Sequence, residues 1–156
     1  MAFRRSSVRS RSAPPSPTSL PTAGILTLGL LAGCATSPDP GLGGTSWQLV
    51  EFQGGDETIL TPDDRTKYTI AFGTDGRVTA RIDCNRGSGT WASEGPNHLV
   101  FGPLALTRAQ CPPGSLHDRI VRDWEYVRSY VIEGGHMFVS LMADAGIYEF
   151  EPMRAP

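Results

Sequence analysis

Apolar and polar residues alternate along much of the chain after residue 45, and this alternation predicts short β-strands. Segments 67–72 and 77–83 are the clearest, because each places three apolar side chains on one face. Residues 73–76 separate them, and their Asp-Gly step favours the positive φ angles of a tight hairpin. The two segments therefore predict an antiparallel sheet with one solvated face. The apolar positions are Tyr68, Ile70, Phe72, Val78, Ala80 and Ile82.

Turn-forming residues divide the remaining alternation into further short strands. We predict these at 47–52, 89–92, 98–101, 137–142 and 147–151. One stretch has a helical pattern instead, with apolar residues every three or four positions at Leu116, Ile120, Trp124 and Val127. It predicts one helix over about residues 115–128, with Ser115 and Asp118 resembling a capping box at its start.

Seven short strands and one helix favour a mainly β fold. The composition agrees, since 18 glycines and 13 prolines in 156 residues favour many turns over long helices. A hydrophobic content of 39% with 19% charged residues is typical of a globular protein. We predict a small antiparallel barrel or a strongly curved sheet, with the helix packed against it.

The first 33 residues have the organisation of a secretory signal peptide. Arginines open the chain, and an apolar run follows at 23–32. This run is too short for a transmembrane helix, which needs about 20 apolar residues. The run ends in Leu31-Ala32-Gly33-Cys34, which resembles the bacterial lipobox. The resemblance implies cleavage before Cys34 and a lipid on its thiol, whereas the alternative is an ordinary signal peptide with a chance cysteine.

Residues 34–43 follow as a lipidated cysteine and a flexible tether rich in glycine and proline. A lipid on Cys34 implies a membrane-anchored protein of the bacterial cell envelope. Ala35, rather than an aspartate, follows the cysteine, which in a cell with two membranes favours the outer membrane, facing the periplasm; the leader itself is compatible with an inner membrane or with a single-membrane bacterium. Membrane contact is therefore expected through the lipid.

Charge is distributed unevenly along the chain. Residues 1–34 contain four arginines and no acid, so residues 35–156 contain ten basic and sixteen acidic residues, a net charge of −6. An acidic domain with the single lysine Lys67 offers phosphates no electrostatic surface, and nucleic-acid binding is not expected.

Three cysteines are present, and lipidation of Cys34 leaves Cys84 and Cys111. In an oxidising compartment such a pair usually forms a disulfide. Closing this loop stabilises the fold by about 3–4 kcal/mol on the chain-entropy model. The alternatives are two free buried thiols or a two-cysteine metal site, and no third ligand stands at the spacing that a metal site requires.

Two short motifs surround these cysteines. Cys84-Asn85-Arg86, with Gly89 shortly after, and Thr107-Arg108-x-x-Cys111 together resemble the META domain of HslJ-like lipoproteins. The resemblance covers residues 44–153. It implies a lipocalin-like barrel with a helix alongside, a place in the bacterial envelope, and an association with heat-shock or drug-resistance phenotypes.

Two positions depart from the usual family pattern. Gly87 stands where the family usually has an aromatic residue, and Ala109 where it often has methionine. We expect both departures to loosen the local packing.

The residues flanking the expected disulfide form the candidate binding site. Two guanidinium groups, on Arg86 and Arg108, beside the amide of Asn85 and the hydroxyl of Thr107 are suited to an anion or a partner's carboxylate. The alternative is structural: these side chains tie loops to backbone carbonyls or pair with acids such as Asp83.

Catalytic, metal and cofactor chemistry are not expected. The three histidines are isolated in sequence, no nucleophile motif is present, and the acidic pairs Asp56-Glu57 and Asp63-Asp64 lie in one loop, where solvation explains them. We expect the tryptophans to fill the core, the alternative being that they line a ligand cavity. The histidines are His98, His117 and His136, and the tryptophans are Trp47, Trp91 and Trp124.

We therefore expect a non-catalytic envelope lipoprotein that acts through a protein partner or in envelope stress tolerance. One alternative is a small-ligand carrier with a lipocalin-like cavity. Another is a lipoprotein inhibitor of lysozyme or proteases. An acidic loop would help such an inhibitor to bind a basic enzyme.

Overall fold

Ten strands form one antiparallel sheet, curved into a nearly closed barrel, in the computed structural model, which describes residues 41–153. The order is β6-β5-β4-β3-β1-β10-β9-β8, while β2 pairs with β1 and β7 with β5. The predicted mainly β barrel with one helix is confirmed. The strands are β1 (Ser46–Gly54), β2 (Ile59–Leu60), β3 (Tyr68–Phe72), β4 (Arg77–Ile82), β5 (Asn85–Ala92), β6 (Val100–Phe101), β7 (Ala105–Leu106), β8 (Val127–Glu133), β9 (His136–Leu141) and β10 (Gly146–Pro152).

The two ends of this strand order meet through the segment that precedes β6. The N–H of Leu99 donates to the carbonyl of Arg128 at 3.0 Å, and the N–H of Tyr130 donates to the carbonyl of Asn97 at 2.8 Å. Arg128, which accepts the first hydrogen bond, and Tyr130, which donates the second, both belong to β8. Backbone pairing therefore joins the first and last strands of the order and protects their edges.

The inward positions of the strands form one apolar core. The six apolar residues predicted on one face of β3 and β4 are all buried, which confirms the hairpin and its register. Trp47 and Trp124 are buried, and Trp91 packs edge-on against Phe72 at 5.3 Å between ring centres. The tryptophans thus pack in or against the core as expected.

The helix is shorter than the sequence pattern suggested. Helix α1 spans His117–Asp123, a 3₁₀ turn follows at Trp124–Tyr126, and Val127 begins β8. The predicted helical end at 128 was wrong because Val127 is extended, at φ −62° and ψ 135°, while its side chain remains buried. Strand β8 begins there and contains Val127, Val131 and Ile132, whose β-branched side chains favour a pleated surface.

The predicted capping box at the start of the helix is not formed. The Ser115 hydroxyl accepts a hydrogen bond from the N–H of His117 at 3.1 Å. The carboxylate of Asp118 does not return to Ser115 but lies 2.9 Å from Nδ1 of His117. Asp118 is one methylene shorter than the glutamate that a capping box uses, so its reach to the preceding backbone is poor.

A buried polar cluster attaches α1 to the barrel. Asp123 accepts hydrogen bonds from Arg119 at 2.6 Å and from the hydroxyl of Tyr148 at 2.7 Å. The guanidinium of Arg119 also lies 4.2 Å from the ring centre of Phe52. Helix and barrel therefore share one ionic hydrogen-bond network at their contact.

The Tyr148 hydroxyl gives this contact a dependence on pH. Burial, together with the hydrogen bond to the Asp123 carboxylate, raises the pKa of Tyr148 well above its usual range. The phenol therefore ionises more easily in the unfolded chain than in the folded one. The contribution of Tyr148 to the free energy of unfolding is fully present below about pH 10 and declines as the pH rises further.

We predict that Tyr148→Phe lowers the free energy of unfolding by about 1–2 kcal/mol at neutral pH, because one hydrogen bond to a carboxylate is lost. Denaturant unfolding of both proteins from neutral to strongly alkaline pH measures this. The difference between them should narrow as the pH rises above about 10. A difference that stays constant across that range would contradict the account.

Candidate functional site

A disulfide attaches the segment after β7 to the turn before β5. Cys84 and Cys111 are bonded, with their Cα atoms 5.4 Å apart across a sequence separation of 27. The expected pairing is therefore present in the structure, in place of free thiols or a two-cysteine metal site. Segment 104–111 consequently lies alongside the first residues of β5.

The side chain of Asn85 holds this segment in place from within. Only 1% of Asn85 is exposed. Its Oδ1 accepts from the N–H of Ala109 at 2.8 Å and from the hydroxyl of Thr107 at 2.9 Å, and its Nδ2 donates to the carbonyl of Ala109 at 2.9 Å. One amide thus satisfies both backbone polar groups of Ala109 and the hydroxyl of Thr107, a structural role.

Thr107 is used in the same way. Its Oγ1 accepts from the N–H of Arg86 at 3.0 Å, and its own N–H donates to the carbonyl of Arg86 at 2.9 Å. Asn85 and Thr107 therefore form the structural half of the motif, and their polar groups are occupied by neighbouring backbone. They do not form one ligand site with the two arginines.

The side chains of Arg86 and Arg108 remain available. The structure describes eight arginines, and these two are the ones whose guanidinium makes no hydrogen bond or ion pair within residues 41–153. The alternative that these two arginines pair with Asp83 was wrong. Asp83 is buried, and its backbone carbonyl accepts a hydrogen bond from Arg81 at 3.3 Å. Both available arginines are exposed.

Two glycines of β5 allow the segment to approach closely. A Cβ added to Gly87 would lie 2.7 Å from Cδ2 of Leu106 and 3.0 Å from Cδ1 of Leu104, and one added to Gly89 would lie 2.8 Å from the carbonyl oxygen of Pro103. The expectation of looser packing at Gly87 was therefore wrong. Leucine side chains already fill the space beside it.

An open groove of about 680 Å³ runs between segment 104–110 and His117. Leu104 and Leu106 give it apolar walls, and Arg108 lies on its rim. The sequence placed His117 on the polar side of the helix, but its side chain is only 19% exposed and its Nε2 is buried without a hydrogen-bond partner in the described residues. No local signal reveals this, because the groove depends on a segment folded back by the disulfide.

The barrel interior offers little free space in the described part of the chain. Two cavities of about 40 and 30 Å³ lie between α1 and the sheet, lined by residues such as Ile120, Trp124 and Phe150. Sites for drug-sized ligands usually measure about 300–1,000 Å³. Each cavity has room for about one water molecule.

Neither a metal site nor a spanning helix occurs within residues 41–153. No group of three or more His, Cys, Asp or Glu side chains has the geometry to hold a metal ion there. No helix in this range is both long and apolar enough to cross a membrane. Cys34 and the signal segment lie outside the described residues.

These features define a small antiparallel barrel closed by a helix and a disulfide. Residues 40–151 match the META domain, and the chain belongs to the META domain family. No curated protein sequence matches the chain.

Two solved structures share the fold. A protein from Burkholderia xenovorans, solved by NMR, is 22% identical with a TM-score of 0.61, covering 78% of this chain and 94% of that one. A DUF4847 family protein from Bacteroides vulgatus, solved by crystallography, is 15% identical with a TM-score of 0.54, covering 74% of this chain and 96% of that one.

We predict that Asn85→Ala lowers the free energy of unfolding by about 2–4 kcal/mol, because the N–H and carbonyl of Ala109 and the hydroxyl of Thr107 lose their partner. Gln110→Ala is the matched control: this exposed amide makes no hydrogen bond in the described residues and should cost less than about 0.5 kcal/mol. Denaturant unfolding of the oxidised proteins measures both. Equal effects would show that Asn85 does not hold the segment.

We also predict that Gly89→Ala destabilises the fold by about 1–3 kcal/mol, since the added methyl group would lie 2.8 Å from the carbonyl oxygen of Pro103, a backbone atom that cannot turn aside. Gly41→Ala provides the comparison, because a Cβ there meets no heavy atom within 4 Å. Thermal unfolding of the two variants gives the difference. A stabilised or unchanged Gly89→Ala protein would mean that the space beside β5 is open.

Proposed function

We propose that this protein is an envelope lipoprotein, anchored through a lipid on Cys34, whose META domain is non-catalytic and binds a protein partner through its outer surface. By that binding it supports the envelope under stress. The lipobox residues Leu31 to Cys34 and the short apolar run before them support the anchor. The anchored domain would lie on the periplasmic side of the outer membrane.

The observation that carries the binding part of this proposal is the filled interior. Cavities of about 40 and 30 Å³ do not accept the ligand of a carrier unless α1 moves. The Asp123 cluster opposes that movement, because it would break the hydrogen bond from Tyr148 of the barrel to Asp123 of α1 and separate Arg119 from the ring of Phe52. Recognition is therefore assigned to the outside of the barrel.

The attachment of the tether favours one end of the barrel for this recognition. The N–H of Gly44 donates to the carbonyl of Phe72, the last residue of β3, at 2.7 Å. The residue before α1 contacts the first residue of this strand, where the N–H of Leu116 donates to the hydroxyl of Tyr68 at 3.1 Å. The end with α1 and the disulfide is therefore opposite the end at which Gly44 enters the barrel.

Expression of the full chain in a Gram-negative bacterium with labelled palmitate tests the anchor. We expect the label to be incorporated and the protein to sediment with the membranes. Cys34→Ser should lose both, because the acceptor thiol is gone. The double variant Cys84→Ser/Cys111→Ser is the matched control and should keep both. An unlabelled wild-type protein, or a labelled Cys34→Ser protein, would overturn the proposal.

A further inference from the structure

We propose that the groove between segment 104–110 and His117 binds an extended, acidic peptide segment of the protein partner, which adds to the edge of β7. This inference rests on the proposed function and names the surface and the chemistry of its partner. Three observations support it: an unpaired strand edge, a group of arginines without carboxylate partners, and a rigid apolar wall.

The edge of β7 provides backbone groups for an added strand. Within residues 41–153, β7 pairs with β5 on one side and with no strand on the other. The N–H of Thr107 points towards β5, where it donates to Arg86. Successive N–H groups of an extended chain point to opposite sides, so those of Leu106 and Arg108 point away from β5, on the unpaired side of β7. An extended peptide can pair with such an edge by β-augmentation.

Arginines surround this edge without neutralising acids. Arg86 and Arg108 make no side-chain polar contact in the described residues, and Arg81 lies directly opposite Arg86 in the β4–β5 register. Arg81 itself contacts only carbonyl oxygens, those of Asp83 and Thr66, both at 3.3 Å. Like charges facing each other across a strand pair are unfavourable. A carboxylate beside them would relieve this repulsion and form charge-assisted hydrogen bonds.

The location of these arginines is distinctive in a chain whose residues 35–156 have a net charge of −6. Other exposed arginines have acids close by, such as Arg77 with Asp75 at 3.6 Å and Arg65 with Glu151 at 3.0 Å. The basic surface beside β7 therefore favours an acidic partner, although the domain as a whole is acidic.

The groove wall favours a peptide over a free anion. Leu104, Ala105 and Leu106 present apolar surface, which suits alternate side chains of an extended peptide but not a phosphate. Asn85 and the disulfide fix the wall, so a peptide would bind a surface that needs little ordering. His117 lines the opposite side of the groove, and its buried Nε2 has no hydrogen-bond partner in the described residues.

Selection from a displayed library of random short peptides tests the inference. The immobilised protein is purified in detergent from cells expressing the full chain, and the double variant Arg86→Ala/Arg108→Ala is used for counter-selection. We expect the enriched peptides to contain an excess of Asp and Glu. Their affinity for the double variant should fall at least about tenfold, because two charge-assisted contacts are lost.

Arg77→Ala/Arg122→Ala is the matched control, since it removes the same charge from exposed arginines that neither line the groove nor pair with the segment after β7. Its affinity should change less than about twofold. Unfolding curves should show that both double variants fold like the wild type. Amide resonances of Leu106 and Arg108 should shift when an enriched peptide is added.

Four results would overturn the inference: no enriched peptides, enriched peptides without acids, equal losses in both double variants, or shifts confined to other strands. Binding to vesicles with anionic lipids, lost in Arg86→Ala/Arg108→Ala while no peptide is enriched, would identify the surface as a membrane contact and also overturn it. Palmitate labelling of Cys34 is scored separately. A labelled protein that selects no acidic peptide disproves this inference and leaves the lipoprotein proposal standing.

Discussion

The buried amide of Asn85 is the contact on which the motif end of this barrel depends. It satisfies three polar groups of the segment after β7, and the neighbouring disulfide holds that segment within reach of the amide. A buried amide that leaves no polar group unpaired specifies a single arrangement of the chain around it. The groove wall, the close contact beside Gly87 and the position of Arg108 all follow from this arrangement.

A second polar contact, between α1 and the sheet, explains why the interior is filled. Asp123 receives hydrogen bonds from both the helix and the barrel, so α1 is held against the residues that would otherwise line a cavity. One hydrogen bond from Arg119 and one from Tyr148 offset the free-energy cost of burying the Asp123 carboxylate. Under the proposed function, a barrel closed in this way binds its partner through its outer surface.

Local patterns predicted the hairpin of β3 and β4, because alternation and an Asp-Gly turn act within a few residues. They did not predict β8, since Val127 continues the apolar spacing of the helix while its backbone is already extended. Asp123 could have been suspected, as an acid on the apolar stripe at four residues from Arg119. The sequence could not show that Asn85 has a structural role while the arginines of the same motif stay available. That division depends on hydrogen bonds between distant segments.

The hydrogen exchange of single amides tests the central claim most directly. In the oxidised protein, the amide of Ala109, which donates to the buried Asn85, should exchange as slowly as amides in the middle of the sheet. The adjacent amide of Arg108, which points away from β5, should exchange rapidly. If Ala109 exchanges as fast as Arg108, the amide of Asn85 does not hold the segment, and the account of the groove fails with it.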